Sequence, residues 1–197
     1  MQRRILFEMG GKEMNVRNQL VEFFVRRSAK EHSPAVRTLA TMAGATFFAA
    51  GWPALVYLCG ICFDKTLILP HWLSVSASII CFAIGIPWLI SSVMWQLVRG
   101  KGTPVPVVPT KYFLQNGPYR YVRNPMILGF ALYLLGWAFL FNKAGAFLAA
   151  AAVIAFLLAE VKIIEEPELE KRFGDAYREY RKETPFIFPK WRKKKCN

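Results

Sequence analysis

The sequence predicts an all-α, polytopic membrane protein with about four transmembrane helices and a C-terminal amphipathic helix. The chain of 197 residues is 54% hydrophobic, yet it carries a formal net charge of +13. Its apolar residues and its charges occupy separate blocks, and this segregation is typical of proteins that cross a membrane several times. The alternation of basic and neutral loops between those blocks also predicts an orientation.

The apolar blocks predict spans at about residues 36–63, 72–98, 126–141 and 145–161. The first two blocks reach the roughly 20 residues that a helix needs to cross a bilayer. The last two form one apolar stretch interrupted at residues 142–145. A single helix of that length would overshoot the hydrocarbon core, so we expect two helices joined by a tight turn, the first of them short.

Basic residues alternate between the loops. Up to Arg37 the chain has 8 Lys and Arg, the first loop has 1, the central loop has 5, the hairpin turn has 1, and the tail from Lys162 has 11. The positive-inside rule then predicts that both termini are cytosolic, in a bacterial inner membrane or the endoplasmic reticulum. This topology and attraction to anionic lipids explain the basic excess. Membrane lipids are therefore expected partners, and nucleic acid is not.

The chain divides into a basic cytosolic N-terminal segment, residues 1–35, and a membrane domain, residues 36–197. The N-terminal segment fits an interfacial helix or a partly disordered leader equally well. The spacing of Cys59 and Cys62 resembles that of a metal-binding or redox pair, but both residues lie in an apolar run without polar neighbours in the sequence. The sequence therefore predicts no metal.

The central loop, residues 99–125, has the densest turn signals. Prolines at residues 103–109 predict an extended, polyproline-like path, a turn follows at residues 116–118, and Pro125 begins the next helix. Non-helical backbone at a membrane edge is tolerated where it lines a cavity. The arginines, amide and tyrosines of the loop suit an adenosine-type ligand with a carboxylate, or equally a connector that contacts lipid phosphates.

The last span runs into Glu165 and Glu166, and Pro167 then restarts a helix predicted at residues 167–182. Its apolar stripe predicts that it lies on the membrane surface or folds back under the bundle: Leu169, Phe173, Tyr177 and Tyr180. The two carboxylates suit the balancing of a cationic ligand or a hydrogen bond to a ribose. The other interpretation is that they only favour the start of the helix.

Two segments in this order carry a family resemblance. Residues 117–129 read Gly-Pro-Tyr-Arg-Tyr-Val-Arg-Asn-Pro-Met-Ile-Leu-Gly, and after the apolar hairpin come Glu165-Glu166 and a Phe-Gly-Asp-Ala-Tyr-Arg-Glu-Tyr segment at residues 173–180. This pattern resembles the isoprenylcysteine carboxyl methyltransferase family, with its bacterial relatives and the phospholipid N-methyltransferases. The match covers residues 103–188, under half of the chain.

The resemblance implies S-adenosylmethionine as cofactor, held between the central loop, residues 99–125, and the end of the last span. By position, it implies these cofactor contacts: Lys111, Tyr112, Phe113, Leu114, Tyr119, Asn124, Pro125, Met126, Ile127 and Glu165. Charged neighbours are candidates for substrate contacts: Arg120, Arg123, Lys162 and Glu166. No catalytic residue is assigned, because methyl transfer by in-line displacement depends chiefly on positioning and exclusion of water.

Three departures from the family pattern affect the expected substrate. Asn124 replaces the family's histidine and keeps a donor and an acceptor, whereas Ile127 replaces a tyrosine and loses its hydroxyl. Val161 stands where the eukaryotic enzymes have an arginine that faces the substrate carboxylate. We therefore expect a lipophilic or small-molecule acceptor, with a carboxylate, amine or thiol, and not a prenylated protein terminus.

Two alternatives remain open at this stage. An NADPH-dependent membrane reductase related to the sterol reductases would have a similar cofactor region but many more spans than this chain has room for. A non-enzymatic four-helix membrane protein, such as a small transporter, would be expected to carry ionisable residues at mid-membrane. The predicted spans are almost free of charge, which favours the methyltransferase.

Overall fold

A computed structural model describes residues 16–28, 34–63, 69–101 and 110–189. The regular structure in these ranges is helical, without an extended strand. The helices are α1 (Val16–Ser28), α2 (Pro34–Thr46), α3 (Trp52–Cys62), α4 (His71–Val98), α5 (Pro125–Phe141), α6 (Ala144–Glu160), α7 (Glu166–Phe173) and α8 (Asp175–Glu183). The predicted all-α membrane fold is confirmed.

Two π-helical turns connect consecutive helices into longer rods. The first, Phe47–Gly51, joins α2 to α3, and the second, Val161–Glu165, joins α6 to α7. Each is followed by a proline in the first turn of the next helix, Pro53 or Pro167. A proline ring would clash with the carbonyl four residues earlier in a regular α-helix, and a wider turn relieves that clash.

Among the described residues, three helices are long and apolar enough to cross a membrane: Thr41–Cys62, His71–Val98 and Ala144–Phe173. The third predicted span, residues 126–141, corresponds to α5 (Pro125–Phe141), which is apolar but has only 17 residues. This is the lower end of the length that a spanning helix needs. The large apolar side chains of α4 mostly face outward, among them Ile79, Ile84 and Ile90. Such a surface fits lipid rather than water.

Helix α5 lies at the centre of the bundle and contacts α3, α4 and α6. A Cβ at Gly129 would lie 2.6 Å from the backbone nitrogen of Leu89, so α4 and α5 approach backbone to backbone. Hydroxyl groups add hydrogen bonds between helices, from Ser78 to the Gly136 carbonyl (2.8 Å) and from Tyr133 to the Ala49 carbonyl (2.7 Å). Small residues and hydroxyls of this kind hold membrane helices together without a hydrophobic driving force.

The hairpin between α5 and α6 turns at Asn142, which adopts a left-handed conformation with φ of 50°. Its side-chain amide donates to the Leu69 carbonyl at 3.2 Å, which ties the turn to the start of α4. The turn therefore lies within the residues 142–145 where the apolar stretch is interrupted.

The C-terminal helix differs from the prediction. Instead of one helix over residues 167–182, the structure has α7 and α8, separated at Gly174 with φ of 55° and ψ of −128°. Only glycine adopts that backbone conformation readily. The break turns the chain back, so that Tyr177 and Tyr180 of α8 are buried against the central loop.

The N-terminal segment contributes α1, which packs against α7 and the second π-helical turn. Val21 is buried in this contact, and Lys171 Nζ lies 3.3 Å from Glu22 Oε1. The extended path predicted at residues 103–109 lies wholly within residues 102–109, which are outside the described residues.

Candidate active site

The end of the central loop and the C-terminal helices interlock through aromatic rings. The Phe113 ring stacks on Phe173 with centroids 5.1 Å apart, and it lies 5.8 Å from Tyr177 and 5.2 Å from Tyr180. Aromatic pairs at these separations contribute about 0.5–1.5 kcal/mol beyond the area they bury. Phe113 therefore anchors the loop on the helices that follow the last span.

Hydrogen bonds fix the loop backbone on the tail. The Tyr180 hydroxyl donates to the Tyr119 carbonyl at 2.6 Å. The Arg123 backbone N–H donates to the Pro185 carbonyl at 2.9 Å, and the Asn124 amide donates to the Phe186 carbonyl at 3.1 Å. Backbone groups of the loop that have no partner within a helix are thus hydrogen-bonded by the tail.

A buried ion pair joins α7 to the start of the described loop. Arg172 Nη1 lies 2.8 Å from Glu168 Oε1, and both side chains are largely buried. The same guanidinium donates through Nη2 to the Thr110 carbonyl. Arg172 therefore links the helix to the loop and neutralises a buried carboxylate.

A second charged cluster lies where α6 passes into α7. Arg123 Nη1 is 3.0 Å from Glu166 Oε1, and the exposed Lys162 Nζ is 3.4 Å from Glu166 Oε2. The Phe186 ring lies beneath both cations, 5.5 Å from Arg123 and 5.0 Å from Lys162. Arg123 and Glu166 are close but not aligned as a hydrogen bond, so Arg123 Nε and Nη1 and Glu166 Oε1 keep unused hydrogen-bonding capacity in the described part of the chain.

Tyr119 is a buried polar residue at the centre of these contacts. Burial raises the pKa of its hydroxyl above the usual value, the Glu165 carboxylate raises it further, and the Gln96 side chain opposes these two effects. Neither the Tyr119 hydroxyl nor Gln96 Oε1 has a well-formed hydrogen bond among the described residues. Tyr119 therefore stays protonated and offers a donor next to a carboxylate.

We call the region around Tyr119 and Glu165, where the central loop meets the end of the last span, the junction. An open cleft of about 380 Å³ lies beside it, between the end of α4 and the central loop. Its walls are Trp95, Arg99, Tyr112, Phe113, Leu114, Gln115 and Asn116. The volume is at the lower end of the range, about 300–1,000 Å³, that small-molecule sites occupy. Aromatic, apolar and amide groups together suit a ligand with a flat ring and polar edges.

The structure separates the predicted site residues into groups. Tyr112, Phe113 and Leu114 line the cleft, whereas Tyr119 and Glu165 lie together at the junction. The remaining predicted contacts are outside the cleft: Lys111 is exposed, Asn124 binds the tail, and Pro125, Met126 and Ile127 form the first turn of α5.

The predicted substrate contacts also divide. Arg123, Lys162 and Glu166 form one cluster, but Arg120 is exposed and does not line the cleft. Sequence reasoning did not place Trp95, Arg99 or Arg172 among the cofactor contacts or the charged substrate contacts. Trp95 and Arg99 lie one helical turn apart at the basic end of the second span, a spacing that signals a shared face.

The fold and this junction define a class of protein: an all-α membrane protein whose central loop and tail build one polar site at the end of the helices. Within that class, the chain belongs to the phospholipid methyltransferase family, whose sequence pattern matches residues 73–176, more than half of the chain. The match runs from α4 to the first residues of α8, so it includes the central loop and Glu165 and ends before Tyr177 and Tyr180. It confirms the resemblance carried by the two motifs and supports a membrane methyltransferase over a reductase.

Two similar proteins are named as methanethiol S-methyltransferases. Methanethiol S-methyltransferase of Mycobacterium tuberculosis is 37% identical over 71 residues, which are 36% of this chain and 28% of that protein. Methanethiol S-methyltransferase 2 of Bradyrhizobium diazoefficiens is 38% identical over 72 residues, 36% of this chain and 27% of that protein. The match thus covers little more than a quarter of each relative's length.

We predict that Tyr180→Phe destabilises the junction, because it removes the buried hydrogen bond to the Tyr119 carbonyl. The expected loss is about 1–3 kcal/mol in the free energy of unfolding, measured by thermal or denaturant unfolding in detergent. Tyr121→Phe is the matched control, since Tyr121 is half-exposed and its hydroxyl makes no hydrogen bond among the described residues. Equal stability of the two variants would contradict the assigned role of Tyr180.

Proposed function

We propose that this chain is an integral membrane methyltransferase that transfers a methyl group from S-adenosylmethionine to a small or lipophilic acceptor. The observation that carries the proposal is the junction itself. Tyr119 of the central loop is buried, with its carbonyl hydrogen-bonded by the tail at 2.6 Å, and Glu165 lies in the π-helical turn that follows the last span. These residues stand at the positions to which the family resemblance assigns cofactor contacts.

The residues present fit such a cofactor. The Tyr119 hydroxyl and Gln96 Oε1 are buried without well-formed hydrogen bonds in the described residues, and a nucleoside offers hydroxyl and amino groups as partners. The cleft beside them has aromatic walls from Trp95, Tyr112 and Phe113. A cationic ligand would also favour the ionised form of the Glu165 carboxyl, since a charge in a poorly solvated site is stabilised by an opposite one.

When bound, S-adenosylmethionine would supply a methyl group activated by a positively charged sulfur. The chain's own residues would then contribute positioning and shielding. Phe113 and the aromatic rings of α7 and α8 keep water from the junction, and the buried Ile127 adds apolar surface at the start of α5. Holding two reactants in line while excluding water is the main requirement of such a displacement.

A thiol is the acceptor that the similar proteins favour, because both are named for methanethiol. A small apolar thiol partitions into lipid and could reach the site without passing through the polar loop. The absence of an arginine at Val161 is consistent with an acceptor that carries no carboxylate. We propose a small lipophilic thiol first, and an amine or a small acid as the next choices.

The proposed orientation places both termini and the cleft on the cytosolic side. The support is the alternation of basic and neutral loops, with Lys65 and Lys143 the only basic residues of the two outer turns. In this orientation the polar cofactor reaches the cleft directly from the cytosol.

The cofactor proposal predicts measurable binding of S-adenosylmethionine or S-adenosylhomocysteine to the purified protein in detergent, by calorimetry. Glu165→Gln should weaken binding of the cationic cofactor roughly tenfold or more, since it removes a charged partner. Glu160→Gln is the control, because Glu160 lies about one turn earlier and has no counterpart among the implied contacts. Equal effects of the two variants would mean that the carboxylate is wrongly assigned.

NADPH serves as the competing ligand in the same experiment. The proposal expects no heat from NADPH. Binding of NADPH without binding of either adenosyl compound would replace the methyltransferase with the reductase.

The acceptor proposal predicts where labelled methyl groups appear. Membranes that contain the protein are incubated with methyl-labelled S-adenosylmethionine and a short alkyl thiol, and volatile, lipid-soluble and protein-bound products are separated. Label should appear mainly in the volatile fraction and depend on the added thiol, and membranes without the protein are the control. Label confined to protein C-termini would contradict this choice and restore a prenylcysteine substrate.

A further inference from the structure

The cleft has one cationic wall that neither sequence motif includes. Arg99 follows the last turn of α4, while Tyr112, Phe113 and Leu114 form the opposite side. Two hydrogen bonds join these walls, from the Lys111 and Tyr112 backbone N–H groups to the Gly100 carbonyl at 2.8 and 3.3 Å. The backbone next to Arg99 is therefore held close to the predicted cofactor contacts Lys111 and Tyr112.

The guanidinium of Arg99 has a defined support. It lies over the Trp95 indole, 5.7 Å from the ring centroid. Trp95 is in turn fixed by Gly117, where a Cβ would lie 2.3 Å from the indole Cε2 and where φ is +62°. A cation over an aromatic face is stabilised by about 0.5–1 kcal/mol at an exposed site, so Trp95 favours one position for the guanidinium.

The neighbouring arginines already pair with carboxylates of the chain. Arg123 pairs with Glu166, and Arg172 pairs with Glu168. Arg99 lines the cleft and, within the described ranges, forms no ion pair with a carboxylate. Its positive charge is therefore available to an anionic group that enters the cleft.

We propose that Arg99 binds the carboxylate of the methyl donor's amino-acid portion, with Trp95 as its positioning residue. The proposal rests on the proposed function and extends it to a residue outside both motifs. A guanidinium binds a carboxylate through two parallel N–H···O bonds, and such pairs are among the strongest hydrogen bonds in proteins.

The test compares two ligands on the full-length protein in detergent by calorimetry. S-Adenosylhomocysteine carries the amino-acid carboxylate, and 5′-methylthioadenosine lacks it. Arg99→Met should weaken the binding affinity for S-adenosylhomocysteine roughly 10- to 100-fold. It should leave the affinity for 5′-methylthioadenosine within about twofold of wild type. Arg99→Lys should restore part of the lost affinity. Lys182→Met is the control, because it removes one positive charge from an exposed position outside the cleft.

Each other outcome has a distinct meaning. Equal weakening of both ligands would overturn the proposal in favour of a structural role, and no weakening of either would show that the carboxylate binds elsewhere. Wild-type protein that binds neither ligand would refute the proposed function itself. If Arg99 instead held a lipid phosphate, anionic lipid would compete with the ligand. The wild-type protein would then bind S-adenosylhomocysteine more weakly in phosphatidylglycerol nanodiscs than in phosphatidylcholine nanodiscs, and the proposal would fail.

Discussion

The structure depends on the pairing of a non-helical loop with the tail of the chain. Backbone groups of the central loop lie at the membrane edge, where unpaired N–H and C=O groups are costly. Arg172 and Tyr180 donate to the Thr110 and Tyr119 carbonyls, and the Pro185 carbonyl accepts from Arg123. Because the tail satisfies the loop, the two cannot form independently, and the site exists only when the last helices have folded back.

Charge burial follows from the same arrangement. Glu166 and Glu168 sit on α7 with almost no solvent exposure, and each has an arginine within 3.0 Å. A buried carboxylate without such a partner costs several kcal/mol, so these pairs do more to fix the geometry than to add stability. Aromatic rings lie against both arginines, with Phe173 4.8 Å from Arg172 and Phe186 5.5 Å from Arg123. What remains open is the cleft beside Tyr112 and the junction at Tyr119, where polar groups are available to a ligand.

The helices were predictable because their apolar blocks and interruptions are strong local signals. Asn142 and Pro125 mark helix ends by their own backbone preferences, and the structure places them there. The prediction of a single C-terminal helix was wrong. The apolar residues keep a helical spacing across Gly174, so the pattern gave no sign of the break there. Trp95 and Arg99 were not placed among the predicted contacts for a different reason: their role depends on contacts with Gly117 and with loop residues distant in sequence. The resemblance supplied candidate contacts, but their division into a cleft and a junction is tertiary information.

The most direct measurement of the central claim is amide hydrogen exchange of the full chain in nanodiscs, with and without S-adenosylhomocysteine. If the loop and the tail form one site, the ligand should slow exchange together in residues 110–123 and in residues 161–180. Exchange in α3 and at the hairpin turn near Asn142 should stay unchanged and serves as the internal reference. Slowed exchange in only one of the two segments, despite saturating ligand, would contradict a site built from both.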